Sequence, residues 1–370
     1  MARTAVAGLN VPLIEMAMGY FRSRALGAAA RLGVADALGD EERTVKDLAA
    51  ACGAEPAALY RLLRALASFG VVAETSPGSF VLTSLGKPLS KDAPDSAWAG
   101  IVFWADLLAD EWSYLTGCVR TGKKAMDVRP PGVPSRWSQD ADASAVFRSV
   151  MGTSPAEDYM PIARAWDFSK YQTVADLGGG GGALIAAVLE AFPHVQGILV
   201  DRPESIDQAK SRFDSASPAG RGQPAGQDNL AGRCKLVAAD LTQEVPPGAE
   251  VYILKHVLHG YEDGAAADIL RCCRTVLPAG LLAEGRVLVV EFVLPEVVDH
   301  ADRDLEQRLM SDLNMLAVTG GKERSATEWR RLLASAGLKC VRIVPVPGDL
   351  VSIIEAAPEE LTIERDVSRE

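Results

Sequence analysis

Residues 174–193 read VADLGGGGGALIAAVLEAFP, and this order of apolar strand, five consecutive glycines and apolar helix restricts the fold more than any other stretch of the chain. Glycine lets the backbone turn left-handed and approach a ligand closely, and the first turn of the following helix offers unpaired N–H groups to that ligand. Such a βα unit belongs in a parallel sheet, and the neighbouring sequence supplies the other strands. QTVADL, QGILVD, CKLVAAD, AEVYILK and GRVLVVEFVL are short β-branched runs separated by helical stretches. The closing KCVRIVPVPGDLVSIIEAA sets two alternating runs around a Pro-Gly-Asp turn, which predicts a terminal antiparallel hairpin.

The N-terminal part follows another rule. Between Val11 and Leu38 the residues Leu13, Met16, Ala17, Tyr20, Ala25, Ala28, Ala29 and Leu32 recur at helical spacing, with Pro12 suited to a first turn. In TVKDLAAACGAEPAALYRLLRALASFGVV, Thr44 caps a short helix, a glycine turn follows, and a second helix starts at Pro56. SFVLTSLGKPL after the SPG turn alternates as a strand does, which completes a winged-helix pattern. In a DNA-binding regulator the second helix would enter a groove, but this one offers only Arg61 and Arg64 among mostly apolar positions. A dimer interface is the better reading. Residues 95–170 are expected to be helical, with a break at RPPGVP (129–134), and SASPAGRGQPAGQDNLAG (215–232) to be a flexible surface loop.

These readings divide the chain into a helical winged-helix dimerisation domain (1–100), a helical linker region (101–170), a ligand-binding domain (171–358) and a disordered tail (359–370). A length of 370 residues and a hydrophobic content of 48% allow a large core. The formal charge of -11 opposes binding to nucleic acid or to an anionic membrane surface. The six cysteines show neither C-x-x-C pairs nor metal spacing, which fits free thiols in a reducing cytoplasm. No apolar run is long enough for a membrane helix, and the N-terminus lacks the pattern of a secretory leader.

Gly178, Gly180 and Ala183 satisfy the dinucleotide pattern G-x-G-x-x-[GA], so the glycines alone leave NAD open. Two further carboxylates narrow the choice. Asp201 ends the second strand, where it can accept both hydroxyls of a ribose, and Asp240 ends the third, beside the expected adenine edge. Either could instead cap the next helix. With Asp176 two residues before the first glycine, the set favours S-adenosylmethionine over a dinucleotide.

At this point the chain resembles a known family, the S-adenosylmethionine-dependent O-methyltransferases of the plant caffeate type and their bacterial relatives that modify aromatic polyketides and antibiotics. The resemblance runs through LYRLLRALASFGV, FRSVM, VADLGGGGGALI, DRPE at 201–204, LKHVLH, VVEFVLPE and DLNMLAVTGGKERSATEWRRLL. It implies a homodimer built on the N-terminal domain, a class I methyltransferase domain with a mostly parallel seven-stranded sheet and terminal hairpin, a cytoplasmic enzyme of secondary metabolism, and no metal. Carried over by motif, Gly178 and Gly180 would lie against the cofactor, Asp201 would hold its ribose, Asp240 and Leu241 would flank its adenine, and Lys255 would meet it from the fourth strand.

Methyl transfer to a phenol needs a proton acceptor, and an imidazole suits the task at neutral pH. The resemblance makes His259, which closes LKHVLH, that general base, with Glu291 and Glu323 as its supporting carboxylates. His256 is expected to pack or hydrogen-bond at the strand end. Glu291 could alternatively serve backbone amides, and Glu323 could pair with Lys322 or Arg324 on a solvated loop. The family usually continues LHDW where this chain has LHGY, so Gly260 and Tyr261 replace an aspartate and a tryptophan. That departure keeps open a non-methylating activity on the same fold, such as hydroxylation, decarboxylation or rearrangement. Phe147, Met151, Met310, Asn314 and Met315 match the helices that line the family's acceptor pocket, and their apolar and thioether character suits a flat phenolic substrate.

Overall fold

The computed structural model describes residues 11–152, 155–215, 230–278, 285–299 and 302–359. They form two compact units, one from Met1–Ser113 with Pro130–Val150, the other from Tyr114–Arg129 with Met151–Glu370. The helical stretch 101–170 is thus shared between them. The loop at 215–232 and the tail at 359–370 lie almost wholly outside the described residues.

In the first unit the helix Val11–Arg31 is followed by a second, Val34–Leu38, with Gly33 between them at φ 64°. The apolar spacing that reads as one helical region is therefore interrupted at a glycine in the left-handed conformation. β1 (Arg43–Thr44) leads into the helix Val45–Cys52, whose Thr44 cap accepts the Asp47 N–H at 3.3 Å. The helix Pro56–Ser68 starts on its proline and buries Leu59, Leu63 and Leu66 every three or four residues, while Arg61 and Arg64 stay exposed. β2 (Val72–Ser76) and β3 (Ser79–Leu82) form the wing, in a sheet of order β1-β3-β2. The helix Val11–Arg31 leaves Leu13, Met16, Tyr20 and Phe21 at 58–75% exposure.

The second unit carries β4 (Thr173–Leu177), β5 (Gln196–Asp201), β6 (Cys234–Ala238), β7 (Val251–Lys255), β8 (Arg286–Leu294), β9 (Arg324–Ser325), β10 (Leu338–Pro345) and β11 (Val351–Pro358). Seven of them run in the order β10-β11-β8-β7-β4-β5-β6, and the two-residue β9 pairs parallel with β8. β8, β7, β4, β5 and β6 are parallel, whereas β11 is antiparallel to both β8 and β10. This is the expected mostly parallel sheet with a terminal hairpin, extended by the short β9. Alternate residues of each central strand enter opposite cores. Val174, Leu199 and Ile253 pack with the fully buried helix residues Ile185 and Leu189, while Ala175, Val200 and Leu254 pack with Ile269 and Trp329. Each such aliphatic side chain contributes roughly 1.5–3 kcal/mol on burial, so the sheet is a rigid platform. Its chain order reverses at β4, which has β5 on one side and β7 on the other, and ligands of open parallel sheets bind at the strand C-termini beside such a reversal.

Among the described residues no helix is long and apolar enough to cross a membrane. All six cysteines are free thiols.

Candidate active site

The carboxyl end of β4 runs directly into the glycine loop. Gly178 has φ 70°, and a Cβ placed there would fall 2.7 Å from Val257 Cγ2 and 3.6 Å from Leu241 Cδ1, so only glycine fits. Gly180 donates its N–H to Asp201 Oδ2 at 2.8 Å, and Arg202 N–H fills the other oxygen at 2.6 Å. Asp201 at the end of β5 thereby anchors the loop, and each oxygen retains a further acceptor direction. Asp240 is exposed and turns onto Thr242, accepting its N–H at 2.9 Å and its hydroxyl at 2.8 Å. Leu241 beside it is buried. Lys255 closes β7 with its ammonium 5.1 Å from the centre of the Tyr159 ring; burial holds its pKa below the usual lysine value against the opposing charges of Glu291, Asp349 and Asp176.

Beneath the loop Asp176 is fully buried, and neither of its side-chain oxygens has a hydrogen-bond partner among the described residues. Burial, reinforced by the charge of Asp201, pushes its pKa up to about 7.

The second group of residues gathers at the ends of β7 and β8. His259 stands in the short 3-10 turn Leu258–Gly260, and its Nδ1 lies 2.8 Å from Glu323 Oε1 and 3.6 Å from Glu291 Oε2. Both glutamate side chains are completely buried. Glu291 Oε1 accepts the N–H groups of Val257 at 3.0 Å and His259 at 3.3 Å, and its Oε2 meets His256 Nδ1 at 3.1 Å. Glu291 thus accepts from two backbone amides through one oxygen and faces both imidazoles with the other, His256 the closer. Glu323 Oε1 also accepts the Ser311 hydroxyl at 2.8 Å, and Glu323 N–H donates to Asp312 at 2.9 Å. The histidine rings stack at 5.2 Å. Burial disfavours the His259 imidazolium, but the charge of Glu291 and the hydrogen bond and charge of Glu323 outweigh it, so the pKa rises above 6.5. Burial likewise works against the Glu291 carboxylate, yet His259 and His256 bring its pKa below the usual range.

Glu323 does not lie on a solvated loop with Arg324, as the sequence allowed. Arg324 is fully buried and points elsewhere: its guanidinium donates to Leu258 O at 3.1 Å, Tyr261 O at 2.9 Å and Asp263 at 2.9 Å, and it lies over Trp329. The arginine clamps both sides of the His259 turn. Gly321 supports the same turn from outside, since a Cβ there would fall 2.0 Å from His259 O. Neither role was foreseen; the paired glycines of GGKER were the available sign. At Gly260 a Cβ would meet nothing within 4 Å, so the missing aspartate leaves open space.

The residues expected to line an acceptor pocket are distributed. Helix Arg303–Val318 carries Met310, 44% exposed, together with buried Asn314 and half-buried Met315. Ser311, Asn314 and Met315 share a face at i, i+3 and i+4, the face that delivers Ser311 to Glu323. Met151 is exposed, with its carbonyl 3.9 Å from where a Gly180 Cβ would stand. Phe147 belongs to the first unit, where it packs with Phe103 and Trp137 at centroid distances of 5.9 and 5.7 Å.

Comparison with known proteins gives this geometry a context. A family model described as an O-methyltransferase domain matches residues 112–339, and one described as an O-methyltransferase dimerisation domain matches residues 14–92. The chain is 37% identical over 355 residues to an O-demethylpuromycin-O-methyltransferase of Streptomyces alboniger, covering 95% of this chain and 90% of the relative. The solved structure of a mitomycin 7-O-methyltransferase superposes with a TM-score of 0.81 at 32% identity, over 97% of this chain and all of that one. An O-methyltransferase from neocarzinostatin biosynthesis, solved with S-adenosylmethionine and 2-hydroxy-5-methyl naphthoic acid, matches with a TM-score of 0.72 at 30% identity, over 97% of this chain and 99% of that one.

Proposed function

This chain belongs to the O-methyltransferase family, with its class I methyltransferase fold and N-terminal dimerisation domain, and from that premise we propose that it moves a methyl group from S-adenosylmethionine to a phenolic hydroxyl of an aromatic secondary metabolite, with His259 as general base. The observation that carries the reading is the contact at 2.8 Å between the half-buried His259 ring and the fully buried Glu323 carboxylate, backed by Glu291.

The residues at the strand ends fit the cofactor. Gly180 opens onto space where a side chain would stand, Asp201 keeps acceptor capacity for ribose hydroxyls, and Leu241 supplies an apolar surface beside Gly178. Gly178, Gly180, Asp201, Asp240, Leu241 and Lys255 would hold it, and when bound it supplies an electrophilic methyl on a sulfonium. The chain's own task is then to align an oxygen with that methyl and to take the oxygen's proton. Alignment can contribute ~7–11 kcal/mol and a general base ~10²- to 10⁴-fold in rate. Glu323 accepts from Nδ1 of His259, which fixes the tautomer and leaves Nε2 as the proton acceptor. As the imidazolium forms, the buried charges of Glu291 and Glu323 stabilise it. Met310, Asn314 and Met315 with Met151 line the acceptor side, where apolar contact suits a flat ring and the amide can fix one polar substituent.

The apolar face of helix Val11–Arg31, together with the match to the dimerisation domain, supports a homodimer of this chain. The enzymatic reading is tested by incubating the protein with methyl-labelled S-adenosylmethionine and a panel of hydroxylated naphthoates, phenazines and small phenols, followed by mass spectrometry. Label on a phenolic oxygen supports it. Cofactor binding with label in no product, or product altered without label, would replace it by the non-methylating alternative.

A further inference from the structure

We propose that His256, His259 and Glu291 form an inhibitory site for one zinc-class divalent cation, which methyl transfer does not use and which competes with it. One ligand atom from each residue lies within 4.8 Å of the others, and this is the one such His/Cys/Asp/Glu group among the described residues. Glu291 Oε2 stands 3.1 Å from His256 Nδ1 and 3.6 Å from His259 Nδ1. Bonds of about 2.0–2.1 Å at tetrahedral angles put neighbouring ligand atoms ~3.3 Å apart, so these two edges bracket the spacing zinc needs. Two imidazoles and a carboxylate are also a donor set that zinc prefers to calcium or magnesium.

The surroundings suit such an ion. Ligating carboxylates work best when outer hydrogen bonds fix them, and Glu291 Oε1 is held by the Val257 and His259 N–H groups at 3.0 and 3.3 Å while Oε2 faces both rings. The Glu291 and Glu323 side chains are fully buried, with the Lys255 ammonium opposing the charge of Glu291, so the two carboxylates offer negative charge to offset. His256 keeps 29% of its side chain exposed, which gives an ion a path inward. Among the described residues it is also the one non-glycine with a left-handed backbone, φ 51°, a cost of the kind retained at functional positions.

Binding would draw His259 Nδ1 away from Glu323 and displace its proton. The competition therefore rests on the assignment of His259 as base, whereas the binding does not. The test uses chelator-treated protein titrated with Co(II), whose visible absorption intensifies in a four-coordinate nitrogen–oxygen site, followed by Zn(II) as competitor. One Co(II) per chain, displaced by Zn(II), is expected. Affinity should fall at least tenfold in His256→Asn, chosen because asparagine tolerates a left-handed backbone, and should vanish in Glu291→Gln. Exposed His194→Asn should bind as the parent does. Absence of the intensified spectrum, or an unchanged affinity in His256→Asn, would overturn the site. Methyl transfer is followed in parallel: saturating Zn(II) should reduce it at least tenfold, and chelator should restore it. Stoichiometric Zn(II) with undiminished turnover overturns the competition and with it His259 as base. A metal-free enzyme that never methylates tells against the methyltransferase reading and leaves the spectroscopic result standing.

Discussion

Replacing Glu323 by glutamine keeps the shape and the acceptor oxygen but removes the charge 2.8 Å from His259 Nδ1. A hydrogen bond to a charged partner is worth about 1.5–3 kcal/mol, and one pKa unit is about 1.36 kcal/mol, so the His259 pKa should fall by roughly one to two units. In the parent enzyme the pKa is held above 6.5, burial being outweighed by Glu291 and Glu323. With His259 as the proposed base the neutral imidazole is the working form, so kcat/KM should rise with pH to a midpoint above 6.5 and then level off. In Glu323→Gln the midpoint should move to lower pH and the plateau should drop roughly ten- to a hundred-fold, since the imidazolium formed during transfer loses the same support. The assay is a pH–rate profile with labelled cofactor, with cofactor affinity measured separately. A midpoint that moves upward, or an unmoved midpoint with a full plateau, would refute the electrostatic coupling between Glu323 and the base.

Arg324→Lys replaces the two nitrogens that reach the carbonyls of Leu258 and Tyr261 by one ammonium nitrogen without the fork, and a buried acceptor left unpaired costs about 1–3 kcal/mol, so Tm should fall by several degrees and kcat should drop with cofactor affinity retained; an unchanged kcat would contradict the clamp. Asp176, with its pKa raised from 3.8 to about 7, contributes stability fully below pH 4 and loses it as pH rises through 7, by up to roughly 4 kcal/mol. In Asp176→Asn without cofactor that decline should be markedly shallower in urea-unfolding midpoints measured between pH 5 and 8, and parallel curves for variant and parent would refute it. Met16→Asp with Phe21→Asp places two charges on the exposed apolar face of the first helix and should halve the mass seen by light scattering, whereas a dimer of undiminished affinity would move the interface elsewhere.

Local chemistry made much of this molecule legible. β-branched runs separated by helical stretches specify a parallel sheet, and a strand that breaks into glycines specifies where its ligand end lies. The winged helix was readable because Thr44, Pro56 and the glycine turn each act within a few residues. Gly33 shows the limit of periodicity, since apolar spacing persists across a residue whose left-handed backbone ends one helix. The histidine cluster was legible only through motif resemblance, because Glu291 and Glu323 are 32 and 64 residues from His259 and no local pattern joins them. The place of Arg324 was out of reach for the same reason: adjacency offered Glu323 only as one alternative partner, whereas the fold sends its guanidinium to Leu258, Tyr261 and Asp263. The turn that Asp240 closes on Thr242 spans two residues and is available in any fold, so it says nothing of the residue's part in a site.

The most direct measurement is the single-turnover rate of methyl transfer by His259→Ala, using an acceptor identified from the labelled panel and enzyme saturated with S-adenosylmethionine. The expected result is a rate about 10²- to 10⁴-fold below the parent with cofactor affinity unchanged. A variant that transfers the methyl group at the parent's rate would contradict the assignment of the proton to this imidazole.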